Sequence, residues 1–135
     1  MGALTRDRAT VERSGNTITL PAAAGKKFFA GALAARDASG NATPGATATN
    51  LRGVGRVEAY VDNSNGVAGS EGVDIRKGIF KYANSADDTI TAADIDNDCY
   101  MVDDQTVAKT SGTNTRSVAG TVFDVEADGV WVRFN

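Results

Sequence analysis

The chain has 135 residues, a formal net charge of −3 and no histidine. Its length suits a single domain, and its acidic balance argues against binding to nucleic-acid phosphates, which needs clustered lysine and arginine. Without histidine it lacks the commonest general base and the commonest ligand for transition metals, so we expect neither an enzyme nor a cofactor.

The chain has few large apolar side chains from which to build a hydrophobic core. One Trp, three Tyr and five Phe stand beside 15 glycines. Because glycine and alanine bury little area, we expect a marginally stable monomer that gains stability against copies of itself or a partner.

Nothing in the chain predicts contact with a membrane. No apolar run approaches the roughly 18–20 residues that cross a bilayer, and residues 5–8 lack the apolar stretch of a signal peptide. The single Cys99 has no partner for a disulfide. We therefore expect a soluble protein, made in a reducing cytoplasm, with a half-buried thiol at Cys99.

Residues 1–15 are predicted to form an extended N-terminal arm, and residues 16–135 a single β domain. The arm is charged and nearly devoid of large apolar side chains. It could be a disordered terminus, or it could become ordered on a neighbouring subunit, which is the functional interpretation. Its candidate interface residues are Arg6, Arg8, Val11 and Arg13.

The first half of the domain predicts short strands. Residues 17–20 alternate and end at Pro21, and residues 27–36 favour a strand that turns at 38–41 and returns over 42–44. Residues 54–61 alternate again. The following Asn65-Gly66 pair is typical of a hairpin turn with two positive φ angles. A slip in alternation at Gly78 indicates a β-bulge.

In the second half, residues 92–95 predict a single turn, and residues 99–102 and 106–109 a hairpin. Asp128-Gly129 predicts the turn of a closing hairpin with Val125 opposite Val132 and Phe123 opposite Phe134. Phe123 would then lie on the apolar face, and Trp131 on the polar face. Eight to ten short strands without a long amphipathic helix indicate an all-β barrel or sandwich.

Two features of the sequence could form a binding site. Asp94, Asp96 and Asp98 alternate and could supply oxygen ligands to Ca²⁺, although solvated turn carboxylates are the simpler interpretation, since the spacing departs from a calcium loop. Trp131, semi-exposed among charged neighbours, could anchor an interface, pack beneath a loop of its own domain or serve as a ligand platform.

Several stretches follow one another in a recognisable order along the chain: Gly53-Val54-Gly55-Arg56-Val57-Glu58, Val61-Asp62-Asn63-Ser64, Gly69, Ile75-Arg76-Lys77-Gly78-Ile79-Phe80, residues 88–94, residues 99–108, and the closing segments 118–122 and 129–132. In this order they resemble the small head decoration (capsid cement) proteins of tailed bacteriophages. The resemblance covers roughly residues 25–134, whereas residues 1–15 match nothing in it.

The resemblance implies a β-tulip-like domain that binds the outside of an expanded phage head as a homotrimer and stabilises it. The implied partner is the major capsid protein, and the implied location is the exterior of the virion. No catalytic residue comes with it. The alternatives are another phage tail or fibre module, or a carbohydrate-binding β module that uses Trp131, Tyr60 or Tyr100.

Overall fold

The computed structural model describes residues 2–13 and 15–135, and it confirms the all-β fold class. Within these residues the chain forms twelve strands and one 3₁₀ turn. No helix in the described part is long and apolar enough to span a bilayer. The elements are β1 (Thr17–Pro21), β2 (Lys26–Phe28), β3 (Leu33–Arg36), β4 (Ala42–Pro44), β5 (Arg52–Val57), β6 (Val61–Asn63), β7 (Gly72–Arg76), β8 (Gly78–Asn84), the 3₁₀ turn (Ala92–Asp94), β9 (Asp98–Met101), β10 (Thr106–Ala108), β11 (Val118–Glu126) and β12 (Gly129–Phe134).

Five of the strands close into a barrel in the order β10-β8-β12-β11-β9. All neighbours are antiparallel except β8 and β10. Alternation along β12 turns Val130, Val132 and Phe134 inward, where they are almost completely buried. Met101 and Val107 complete this first core from the neighbouring strands.

The remaining strands form an open sheet in the order β1-β7-β5-β3-β4 and a two-stranded ribbon of β2 with β6. A second core lies here, with Phe28 from the ribbon and Val57, Val73 and Ile75 from the sheet, all fully buried. The molecule therefore has two small cores, and valine and alanine make up half of the first and most of the second.

The open sheet and the barrel meet where β5 approaches β11. A Cβ atom at Gly53 would overlap the carbonyl oxygen of Ala119, so the two backbones are in direct contact there. Only glycine permits such an approach. The two cores are also joined by β3, whose Leu33 and Ala35 belong to the first core and whose Ala34 belongs to the second.

Several predicted local elements are confirmed. β3 turns through residues 37–41 and pairs antiparallel with β4, as the strand–turn–strand pattern predicted. The single strand expected over residues 27–36 is wrong, since the chain forms β2 in the ribbon and β3 in the open sheet there. β9 and β10 form the expected hairpin, and residues 92–94 form the expected single turn.

The closing hairpin exists, but its predicted register is wrong. Glu126 pairs with Gly129 and Val125 with Val130, so the loop is Ala127-Asp128. Gly129 is buried within β12, where a Cβ atom would lie 3.0 Å from the carbonyl oxygen of Tyr82. The glycine therefore serves close packing rather than turn geometry.

A β-bulge then resets the inward face of β11. The register shifts between Val122 and Asp124, so Val122, and not Phe123, pairs and packs inside the barrel opposite Val132. Phe123 is the extra residue and is 44% exposed. Bulges add one residue to one strand, which the alternation count could not include.

Two other turn predictions need correction. Gly78 (φ +154°) is not a bulge within one strand, since β7 ends at Arg76 in the open sheet and β8 begins at Gly78 in the barrel. Neither Asn65 nor Gly66 has a positive φ. Gly66 is needed because a Cβ atom there would collide with the buried amide of Asn63.

Residues 2–13 contain no helix or strand, and every one of them is exposed. The accessible surface of 7911 Å² exceeds the about 6,700 Å² typical of a compact monomer of this mass. The extended arm contributes to that excess. Whether residues 1–15 act as a separate functional unit stays a prediction.

Candidate binding surface

The outer face of the barrel carries a shallow apolar depression on β8, β12 and β11. The strand register places Lys81, Trp131 and Asp124 side by side, and alternation turns them away from the core. We call this the Trp131 surface; its lining residues are Ile79, Phe123, Asp124, Glu126 and Trp131.

The indole of Trp131 is held in place on this surface. Its Nε1–H donates a hydrogen bond to a carboxylate oxygen of Glu126, and the Lys81 ammonium lies 5.8 Å from the ring centroid. The side chain is partly buried against its own strands and partly open to solvent. A fixed, half-exposed indole is the type of side chain that anchors protein interfaces.

The bulge supplies the second aromatic group. Phe123 projects outward next to Trp131, with the Arg133 guanidinium 4.9 Å from its ring centroid. Ile79, 37% exposed, completes the apolar patch. Sequence reasoning placed Phe123 in the core because the bulge was not predicted.

The charges beside the depression are largely satisfied by one another. Lys81 Nζ lies 2.6 Å from an Asp128 carboxylate oxygen. This hydrogen bond and the paired charge lower the pKa of Asp128 and raise the pKa of Lys81. Asp124 also lines the surface and forms none of the ion pairs of the described residues, so the Trp131 surface offers exposed apolar groups beside one carboxylate.

The arm residues chosen from the sequence lie elsewhere. Arg6, Arg8, Val11 and Arg13 are all exposed, with Val11 92% accessible. None of them lines the Trp131 surface. The structure therefore keeps the two candidate interface elements, arm and Trp131, apart within one chain.

A third exposed feature pairs Phe29 with Tyr60, which the sequence had offered only as a possible platform for a sugar. Phe29 and Tyr60 stack at 5.6 Å between ring centroids, inclined at 44°, and are 58% and 54% exposed. Adjacent Phe28 and Phe29 alternate across a strand end, so one of the two had to point outward. Their tilt gives no flat platform of the kind on which a sugar ring stacks.

The carboxylates that alternate in sequence do not form a calcium site. Asp94 accepts a hydrogen bond from the backbone N–H of Thr91 at 2.8 Å and caps the 3₁₀ turn, whereas Asp98 starts a strand. No group of three or more acidic, cysteine or histidine side chains within residues 2–13 and 15–135 could hold a metal ion. The solvated-turn interpretation therefore holds for the exposed Asp96, whereas Asp98 is an exposed residue of β9 and Asp94 is buried.

Cys99 is fully buried rather than half-buried. Its Sγ lies 3.6 Å from the carbonyl oxygen of Gly120. Burial raises the pKa of the thiol to about 12, so the group is protonated near neutral pH. It is a packing residue of the barrel.

Comparison of the chain with family models, with curated proteins and with solved structures gave no match in any of the three.

Proposed function

We propose that this protein is a non-enzymatic structural subunit that binds the outside of an expanded phage head and stabilises it. Its partner would be the major capsid protein, and it would act as a homotrimer on the exterior of the virion. The observation that carries the proposal is the Trp131 surface, an exposed aromatic patch on a rigid barrel.

The distribution of apolar side chains supports a binding role. Of the aromatic side chains in the described residues, Phe28, Tyr82 and Phe134 are buried. Phe123 and Ile79, in contrast, are exposed beside a partly exposed Trp131. Grouped apolar side chains on an otherwise polar surface mark sites of association. Burying them against another subunit would add the stability that the two small cores lack.

The exposed arm supports the same role. Residues 2–13 carry Arg6, Arg8 and Arg13 with no secondary structure of their own. An extended segment of this kind can become ordered on a neighbouring subunit, which lets a small domain hold a larger area of the shell. The arm and the Trp131 surface would then be two separate points of attachment.

The test mixes the purified protein with expanded heads built from the capsid protein encoded in the same genome. Bound protein is measured by co-sedimentation, and head stability by the disruption temperature. We expect saturable binding and a higher disruption temperature. Trp131→Ala should weaken binding by about 30-fold or more, as loss of a central anchor worth 2 kcal/mol requires.

Matched variants separate the surfaces. Tyr60→Ala removes an exposed aromatic group outside the Trp131 surface and should bind as the unmodified chain does. A chain lacking residues 1–14 should fold normally, as judged by its melting temperature, but bind heads more weakly. Heads that neither retain the protein nor gain stability would refute the decoration role.

One observation favours a carbohydrate-binding module as the second candidate. The Trp131 indole lies beside the carboxylates of Asp124 and Glu126, and a sugar could stack on the ring while its hydroxyl groups donate to those oxygens. Glycan-array binding that disappears in Trp131→Ala, together with no retention on heads, would establish this alternative instead.

A further inference from the structure

A groove lined by basic residues lies where the open sheet meets the barrel. Arg36 and Arg52 border it from β3 and β5, and Lys77 borders it from the crossover between β7 and β8. The glycines Gly53 and Gly120 also line it. Since glycine has no side chain, a small ligand can approach the main chain there.

The positive charge of the groove is only partly balanced by the protein, since the one carboxylate that borders it is the terminal carboxylate of Asn135. No aspartate or glutamate lines it. The ion pairs found within the described residues use Arg56, Lys81, Lys109 and Arg116, and none uses Arg36, Arg52 or Lys77.

The strand register adds to this imbalance. Arg36 pairs directly with Arg52 across β3 and β5, which places two guanidinium-bearing side chains on the same face of the sheet. Like charges directly opposite each other destabilise a sheet. The Arg36 guanidinium contacts only the main-chain oxygen of Asp37, at 3.3 Å.

Lys77 is the most enclosed of the three cations. Its Nζ donates to a terminal carboxylate oxygen of Asn135 at 2.9 Å and to the main-chain oxygen of Val54 at 3.4 Å. An ammonium has three N–H donors, so one remains. Burial, and then the charge of Arg52, lower the pKa of Lys77, and a bound anion would offset both effects.

We propose that this groove binds one small oxyanion, a phosphate or a carboxylate, between the guanidinium groups of Arg36 and Arg52 and the ammonium of Lys77. Guanidinium groups match the paired oxygens of both anions, and an ammonium adds a compact point charge. Arg133 also lines the groove, but its guanidinium packs over Phe123, so it is not assigned to the anion. The site does not depend on capsid binding.

The test is a titration of the full, ¹⁵N-labelled chain with inorganic phosphate, and separately with acetate, at constant ionic strength set by sodium chloride. We expect saturable shifts of the amide signals of Gly53, Lys77 and Gly120. Saturation by phosphate alone would assign the site to a phosphate group. Saturation by acetate as well would assign it to oxyanions that include protein carboxylates.

Two charge-matched variants complete the design. Arg52→Gln should weaken anion binding about tenfold, the effect of losing one charge-assisted hydrogen bond. Lys26→Gln removes one positive charge from the β2–β6 ribbon and should leave the affinity unchanged. Shifts that follow ionic strength without saturating, or an equal loss of affinity in both variants, would overturn the proposal. The titration of the unmodified chain shows whether anion binding saturates, even if a variant fails to fold.

Discussion

Replacing Gly53 with alanine tests the contact between the open sheet and the barrel. The added Cβ atom would lie 2.6 Å from the carbonyl carbon of Ala119, well inside the about 3.5–4.0 Å of an unstrained carbon contact. Both partners are backbone, so no side chain can rotate away. Overpacking of this kind costs about 1–3 kcal/mol, and we expect the upper end of that range or more.

The assay is thermal unfolding followed by circular dichroism. For a domain of this size, 1 kcal/mol corresponds to about 3–5 °C, so Gly53→Ala should lower the melting temperature by roughly 10 °C or more. Gly72→Ala is the matched control, since it adds the same methyl group to a strand of the same sheet, 3.3 Å from a methyl group of Thr19. If the two variants melt within about 2 °C of each other, β5 and β11 are not in backbone contact, and the two cores are joined in another way.

Two further predictions concern single side chains. Cys99 should resist alkylation in the folded protein near neutral pH, because its thiol is buried and its pKa is raised, and it should react fully in denaturant. Mass spectrometry measures the labelling, and rapid labelling of the native chain would contradict the buried position of Cys99. Asp88 accepts hydrogen bonds from Thr110 and Arg116, which lower its pKa, so its contribution to stability is present above the unfolded pKa of about 4 and is lost as the pH falls through the lower folded value. Asp88→Asn should therefore reduce stability at pH 7 and flatten its decline below about pH 4 in urea denaturation, and an unchanged pH profile would show that the network contributes nothing.

Alternation was sufficient to predict the fold class, because a strand that buries one face must alternate. It located the β3–β4 and β9–β10 hairpins and the inward face of β12. It did not predict the bulge at Phe123, because Val122 and Phe123 are both apolar and either of them could be the inward residue. Nor could it distinguish a bulge at Gly78 from a strand that leaves one sheet for another, since both shift the alternation by one.

The candidate sites were predictable only where they are local in sequence. Trp131 lies between two inward valines, so its outward direction followed from the strand alone. Phe123 lies beside Trp131 only because of the bulge in β11. The residues Arg36, Arg52 and Lys77 of the basic groove come from three separate parts of the chain. Only the pairing order of the strands brings those cations together, and no spacing rule within the chain encodes it.

Two small cores limit the free energy that burial supplies to this fold, because burial stabilises in proportion to apolar area. The chain nevertheless leaves the aromatic ring of Phe123 exposed and that of Trp131 partly exposed, and both could bury more area against a partner. Their position on the outside is consistent with a domain that gains part of its stability by association, and we therefore expect its melting temperature to rise with concentration or on binding its partner.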